Sequence, residues 1–389
     1  MPDLSGFNIV VVGSGFFGAT VAHTLAAEYG LRVLVLERRA HIGGNSYSRV
    51  DAETGIEYHV YGSHIFHTSN EEVWRFVGRF TGFNNYRHRV LTKHKGRVFT
   101  LPINLMTINA FYGRDFTPAQ ARHFLAAEIA RDAAANPSNL EEKAITLIGR
   151  PLYEAFIRGY TLKQWQTDPR ELPAETIARL PVRLGYNDFY FSDTHEGIPL
   201  DGYARIFERM LRHEKIAVET GCDYFTVADR LSAKALVVYT GPVDRYFQYR
   251  LGPLAWRTLD LELERPPVGD FQGTAVMNYA DTDVRFTRIH EFRHYHPERR
   301  YADAATLIMR EYSRAAGPGG EPYYPVNRPA DKALYEQYRA LADKEPRTVF
   351  GGRLGTYRYL DMHQAIAAAL KAVPNDILPR LRALGQLQV

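Results

Sequence analysis

Three observations predict a fold that is α/β in one part and α+β in the rest. The first forty residues read as strand, glycine turn, helix and strand. A second strand–glycine–helix unit stands near the C-terminus, and between the two a helical stretch is followed by alternating strand-like runs. Together they describe a discontinuous Rossmann-like domain assembled from both chain ends, a helical domain and an antiparallel-sheet domain. At 389 residues the chain exceeds what one hydrophobic core organises.

Residues 8–12 are apolar and β-branched, as a buried strand is. Gly13-Ser14-Gly15-Phe16-Phe17-Gly18 follows at once, then a helical pattern to Tyr29 with Gly30 as its C-cap, then a strand over 32–36 that ends on Glu37. In such a unit Gly13 permits the tight turn, Gly15 lets backbone approach a pyrophosphate and Gly18 lets helix pack on strand. The helix start at Phe16 offers free N–H groups and its dipole. Glu37 stands about 20 residues past the last glycine, where an acid takes ribose hydroxyls. A glycine turn alone is equally structural; here strands, helix and acid agree on a dinucleotide. Arg38 and Arg39 line a solvated edge of that site. His41-Ile42-Gly43-Gly44-Asn45 then reads either as a turn leaving the sheet or as a second backbone approach to a phosphate. It resembles the second FAD motif of glutathione-reductase-like and amine-oxidase-like flavoproteins, with Asn45 where those often have arginine.

Further along, 87–102 reads as a hairpin centred on Lys95-Gly96. Thr117-Pro118 is an N-cap and N1 proline opening a helix to about Ala135, Asn139 caps 140–148, and Pro151 opens a helix to Trp165. Runs at 258–263, 273–279, 284–289 and 306–312 predict the antiparallel sheet, and 223–242 returns to the first domain. Residues 348–350 form a strand that runs into Gly351-Gly352-Arg353-Leu354-Gly355 and, after Asp361 and Met362, a helix over 363–372, a second anion-binding helix start. The reading divides the chain into an FAD-binding domain (1–82, 203–243 and 344–389), a helical substrate or lid domain (102–181) and a sheet domain (83–101, 182–202 and 244–343).

Composition narrows the function classes. Net charge is only +4 and scattered, which disfavours a nucleic-acid binder. The single cysteine, Cys222, excludes an intrachain disulfide framework and a cysteine zinc site. No stretch approaches a membrane span and the N-terminus lacks a signal-like core, so a cytoplasmic location is expected. His59, His64 and His67 are not spaced as metal ligands, and no metal is expected. His294 and His296 read as solvated surface residues. The 25 tyrosines suit sugar and base recognition as well as ordinary cores.

Several motifs carry a family resemblance over essentially the whole chain. Gly159-Tyr160-Thr161-Leu162-Lys163-Gln164-Trp165, Arg179-Leu180-Pro181-Val182-Arg183, Tyr190-Phe191-Ser192-Asp193, Val276-Met277-Asn278-Tyr279, Thr287-Arg288-Ile289, Glu321-Pro322-Tyr323-Tyr324-Pro325 and Tyr359-Leu360-Asp361-Met362 are similar to the bacterial UDP-galactopyranose mutase family. That resemblance implies an isomerase with non-covalent FAD, reduced for activity. It would interconvert UDP-galactopyranose and UDP-galactofuranose by non-redox covalent catalysis through N5 of the flavin, and would feed galactofuranose into cell-wall polysaccharide. A homodimer or higher homo-oligomer stays open.

The resemblance also assigns residues. Phe156, Tyr160, Thr161 and Trp165, otherwise an ordinary core stripe, fall to the uridine end. Arg179, in a proline-bounded lid-like segment, and Arg288, in a strand where a buried charge is costly unless it faces a cleft, clamp the diphosphate. Tyr190, Asn278, Tyr324, Tyr359 and His88 lie on the substrate side. His64, after Gly62, lies beside the flavin, and Gly352, Arg353, Tyr359, Asp361 and Met362 hold its far end. Two rivals remain: a flavin amine oxidase, which would need no arginine pair, and a binding protein similar to the Rab GDP-dissociation inhibitors, against which the intact glycine turns and Glu37 argue.

Overall fold

A computed structural model defines the fold and describes residues 4, 6–177, 181–317 and 319–387. Five parallel strands form the first sheet, in the order Thr348–Phe350, Leu236–Tyr239, Ile9–Val12, Val33–Glu37, Ile216–Thr220. All four residues of the Leu236–Tyr239 strand and all five of Val33–Glu37 are buried, because an apolar layer covers each face, helices on one side and Leu4, Val227 and Ala235 on the other. Chain order and spatial order differ: the central strand comes first, and of its two neighbours Val33–Glu37 follows directly while Leu236–Tyr239 arrives more than 200 residues later. The sheet therefore needs both chain ends, as the glycine units anticipated.

The Phe16–Tyr29 helix ends where expected, with Gly30 in the left-handed region at φ 65°. Thr117 and Gln120 form a capping box ahead of Pro118–Asp132, and Asn139 caps the next helix at Glu142 N. That helix does break before Pro151, at Gly149, whose φ of 77° is not helical. It then runs through one irregular wide turn, Tyr153–Arg158, into Gly159–Trp165.

The second sheet has seven strands, ordered Tyr324–Pro325, Trp256–Glu264, Ile308–Ala315, Arg288–Glu291, Val276–Tyr279, Val90–His94, Arg97–Leu101. The expectation of an antiparallel sheet is corrected at one seam: Val276–Tyr279 runs parallel to Val90–His94. The strand expected over 284–289 starts only at Arg288, since Asp281, Asp283 and Arg285 make the preceding stretch a polar turn. One hydrophobic core joins this sheet to the helical segment, with Ile145, Leu152 and Phe156 in contact with the cluster that holds Val276, Phe292 and Met309. The two expected domains thus share a core. His296, expected on the surface, is 1% exposed, 3.4 Å from Glu57 and 2.8 Å from Glu298; pairing with those carboxylates lets it be buried. Among the described residues no helix is long and apolar enough to cross a membrane.

Candidate active site

The parallel sheet opens at the C-terminal ends of its strands onto a cavity of ≈ 890 Å³. Its near wall is almost pure backbone. Gly13 sits at φ 101°, and a Cβ there would stand 2.1 Å from Thr240 Oγ1; one on Gly18 would stand 2.0 Å from the Gly13 carbonyl. Gly15 and Gly44 face each other so closely that a Cβ on Gly44 would come 3.1 Å from Gly15 Cα. Side chains are thereby excluded where a diphosphate would lie against free N–H groups. Glu37 is buried at the end of its strand. Its Oε2 accepts from Ser14 N at 3.0 Å and Ser14 Oγ at 2.6 Å, and its Oε1 accepts from Arg39 N at 2.9 Å. Oε2 is filled by its two donors, while Oε1, with one, keeps a lone pair for a ribose hydroxyl. Gly352, Arg353, Asp361 and Met362 line the other end, at the start of the Met362–Ala372 helix. A glycine cradle, an anchored acid and two helix N-termini around one cavity fit a dinucleotide such as FAD.

The mixed sheet carries a second polar cluster, outside the lining of that cavity but joined to it through Gly62, which sits beside Glu311 and accepts from His64. Cross-strand register puts Asn278 opposite Arg288 and Arg288 opposite Glu311, so three polar residues from three strands share one face. Arg288 Nε lies 3.4 Å from Glu311 Oε1, and its Nη2 donates to the Tyr160 hydroxyl. Glu311 continues inward to His290 Nε2 at 3.1 Å; His290 Nδ1 meets Ser63 Oγ at 2.5 Å, and Ser63 meets the Tyr295 hydroxyl. Burial alone would raise the Glu311 carboxyl, but Arg288 and the His290 bond bring it down to about 2. Asn278 Oδ1 is buried without a protein partner.

Aromatic rings join the cavity to this cluster. Tyr324 and Tyr359 stack at 5.8 Å, and the Arg353 guanidinium lies 4.8 Å from the Tyr359 ring centre. His64 lines the cofactor cavity and donates its Nδ1–H to the Gly62 carbonyl at 2.7 Å, which leaves Nε2 as a lone pair. Burial pulls this imidazole down to about 4, against the raising effect of the Gly62 bond. His88 is buried and held at about 3, by burial first and by Arg288 next; its Nδ1 meets the Tyr86 hydroxyl at 2.9 Å and its ring lies 5.4 Å from that of Tyr190.

A family profile described as UDP-galactopyranose mutase matches residues 155–359, and one described as an NAD(P)-binding Rossmann-like domain matches residues 11–80. A probable UDP-galactopyranose mutase of Klebsiella pneumoniae is 45% identical over 94% of this chain and 93% of its own length. The chain belongs to the UDP-galactopyranose mutase family. A dTDP-fucopyranose mutase of Escherichia coli is also similar, at 39% identity over 93% of this chain and 96% of its own. A crystal structure of a reduced UDP-galactopyranose mutase shares the fold, with TM-score 0.70 over 99% of this chain and 95% of that one at 15% identity. The protein is therefore an isomerase of the mutase type, with its nucleotide-binding fold at the cavity described above.

Within this mutase the cofactor-side expectations gather well: Gly13, Gly15, Phe16, Gly18, Glu37, Arg38, Gly43, Gly44, Asn45 and His64 all line the cavity. Gly62 does not; it sits at φ 89° facing Glu311, on the substrate side. Arg38 reaches the rim, paired with Glu321 at 2.5 Å, while Arg39 is drawn inward over Tyr61 and onto Asn45. On the substrate side Thr161 is buried and Trp165 is partly buried against the core. Phe156 is 3% exposed among the rings of Phe99, Phe111 and His94, so its ring serves the core rather than the cleft. Arg179 lies outside the described residues. Sequence reasoning missed Glu311, His290 and Ser63. For Glu311 the only signal was an acid in a strand-like run, which reads equally as an exposed position. It also missed the meeting of His67, Asp361 and His363, whose ligand atoms lie within 4.8 Å of one another; His67 there is bonded to Asp193 at 2.7 Å.

Proposed function

We propose that this mutase interconverts UDP-galactopyranose and UDP-galactofuranose, with FAD held non-covalently and reduced for activity. The observation that carries the reading is the Arg288 guanidinium, about a third exposed and fixed between Tyr160 and Glu311 in the sheet that adjoins the dinucleotide cavity. Reduced flavin, when bound, supplies a nucleophilic ring nitrogen for non-redox covalent catalysis.

The chain's own groups divide the remaining work. The N–H groups at the helix start after Gly15 and that of Gly44 hold the cofactor diphosphate, Gly13, Gly18 and Gly43 shape the turns around it, Asn45 and Arg38 flank it, and Glu37 holds the ribose. Gly352, Arg353, Asp361 and Met362 orient the cofactor's other end. Tyr160, Thr161 and Trp165 take the uridine. Arg288, and Arg179 from the segment after 177, stabilise the charge that develops on the departing UDP. Tyr190, Asn278, Tyr324, Tyr359 and His88 surround the sugar, where the unpaired Asn278 Oδ1 accepts a hydroxyl. His64, neutral and with Nε2 free, exchanges a proton near the cofactor. The enzyme works in the cytoplasm.

The test is incubation of dithionite-reduced protein with UDP-galactofuranose, with chromatography of the product. UDP-galactopyranose is expected from reduced protein and none from oxidised protein. A parallel incubation with dTDP-fucopyranose separates the two sugar nucleotides named by the similar mutases; turnover of that substrate alone would replace the reading.

A further inference from the structure

The Gly159–Trp165 helix does more than present Tyr160. At Gly159 it touches the turn between the Val276–Tyr279 and Arg288–Glu291 strands so closely that a Cβ would lie 2.2 Å from the Ala280 carbonyl. One helical turn later, on the same face, Lys163 enters that turn. Its Nζ donates to the carbonyls of Tyr279 at 2.7 Å, Asp281 at 2.7 Å and Phe286 at 3.0 Å. All three ammonium protons are used, and no carboxylate receives one. The turn is gripped from the far side as well, since the Asp281 carboxylate meets His94 Nδ1 and the Lys95 backbone N–H, each at 2.6 Å. Burial draws the ammonium down to about 8. A half-buried cation with no carboxylate in contact is costly unless its contacts matter to the fold or the site.

What the contacts fix is a spacing. The gripped turn begins immediately after Asn278 and ends one residue before Thr287 and Arg288, while Tyr160, which accepts from Arg288, stands three residues before Lys163 on the helix. We propose that Lys163 is a positioning residue of the reaction: by closing the 279–286 turn onto the helix it sets Arg288 and Asn278 against Tyr160. This rests on the reading above, in which Arg288 meets the substrate diphosphate. Displacement of a charged group by about 1 Å can cost ~10²-fold in rate.

A double-mutant cycle tests it in the full-length, FAD-loaded, dithionite-reduced enzyme. Lys163→Met keeps the stem and removes the donors. Its expected result is unchanged flavin content and a loss of ~10–100-fold in kcat/KM. In an Arg288→Ala background the same change should cost less than about threefold, because the group it positions is gone. Near-wild-type kcat/KM for Lys163→Met overturns the proposal, and so does a full, multiplicative loss in the Arg288→Ala background, the mark of a purely structural role. Should Lys163→Met fail to fold, Lys163→Arg keeps the charge but not the three-point geometry, and the same cycle and the same two outcomes apply. If Arg288→Ala itself turns over normally, the reading of Arg288 falls, and that result is distinct from either outcome for Lys163.

Discussion

The two sides of the site are built on different plans. The cofactor wall recognises by leaving side chains out: Gly13, Gly15, Gly18 and Gly44 bring backbone to backbone, and collisions of 2.0–2.1 Å await a Cβ at Gly13 or Gly18. The substrate side recognises by bringing side chains in, with Ser63, Tyr160, Arg288, His290 and Glu311 arriving from separate stretches of chain into one bonded row and Asn278 beside it across the strand register. A wall made of backbone tolerates no added atom but titrates little. A wall made of buried charge is sensitive to every proton and every missing partner.

The sharpest way to break that division is at its strongest charge. Arg288→Ala should lower kcat/KM by ~10²–10³-fold with FAD content unchanged, and Arg179→Ala should do the same. Flavin loss in place of slow turnover would show that the two sides are not separable. The converse change is Gly13→Ala. Forcing a side chain to φ 101° costs about 1–3 kcal/mol, so FAD should dissociate ~10–100-fold more readily, while reconstituted enzyme keeps its KM. Flavin fluorescence on dilution measures the first, and steady-state kinetics at saturating FAD the second.

The same contrast explains what the sequence revealed. The cofactor wall is made by residues a few positions apart, so local spacing carried it, and Gly30 and Glu37 lie where the pattern put them. The substrate side depends on register between strands that meet across long intervals of chain. No local period brings Glu311 opposite Arg288 or His290 onto Ser63. Arg288 and Tyr160 were reached through family motifs, and Glu311 was passed over because a single acid in a strand reads equally as an exposed position. The parallel seam between Val276–Tyr279 and Val90–His94 was missed for the same reason: the hairpin at 90–101 lies nearly 200 residues earlier.

Glu311→Gln sharpens the comparison at intermediate size. It keeps the shape of the side chain and removes the charge that faces both Arg288 and His290. Losing one partner of a fully buried pair costs about 3–5 kcal/mol. Arg288 is about a third exposed, which screens part of the loss, so about 1–3 kcal/mol is expected here. Calorimetry should show a lower Tm, with weaker UDP binding as Arg288 loosens. An unchanged Tm would mean that the row is not under electrostatic tension.

The smallest effect is a slope rather than a loss. His59, His64 and His88 are held neutral around the site, each lowered chiefly by burial, to about 3, about 4 and about 3. In the unfolded chain each titrates near 6.5. Below that pH the unfolded state binds protons that the native state refuses, so the stability these groups contribute is complete above 6.5 and drains away as pH falls toward 4 and 3. Each contributes up to about 1.4 kcal/mol per pH unit in that window. Glu311, lowered to about 2 against 4.5 unfolded, adds a second loss that begins only below 4.5. Denaturant unfolding between pH 7.5 and 4.5 should therefore show stability falling with proton uptake before the carboxylates titrate, and His88→Gln should remove one proton's share of that slope. A flat profile down to pH 4.5 would mean that the buried imidazoles open to water, and the substrate side would then be as indifferent to protons as the glycine wall beside it.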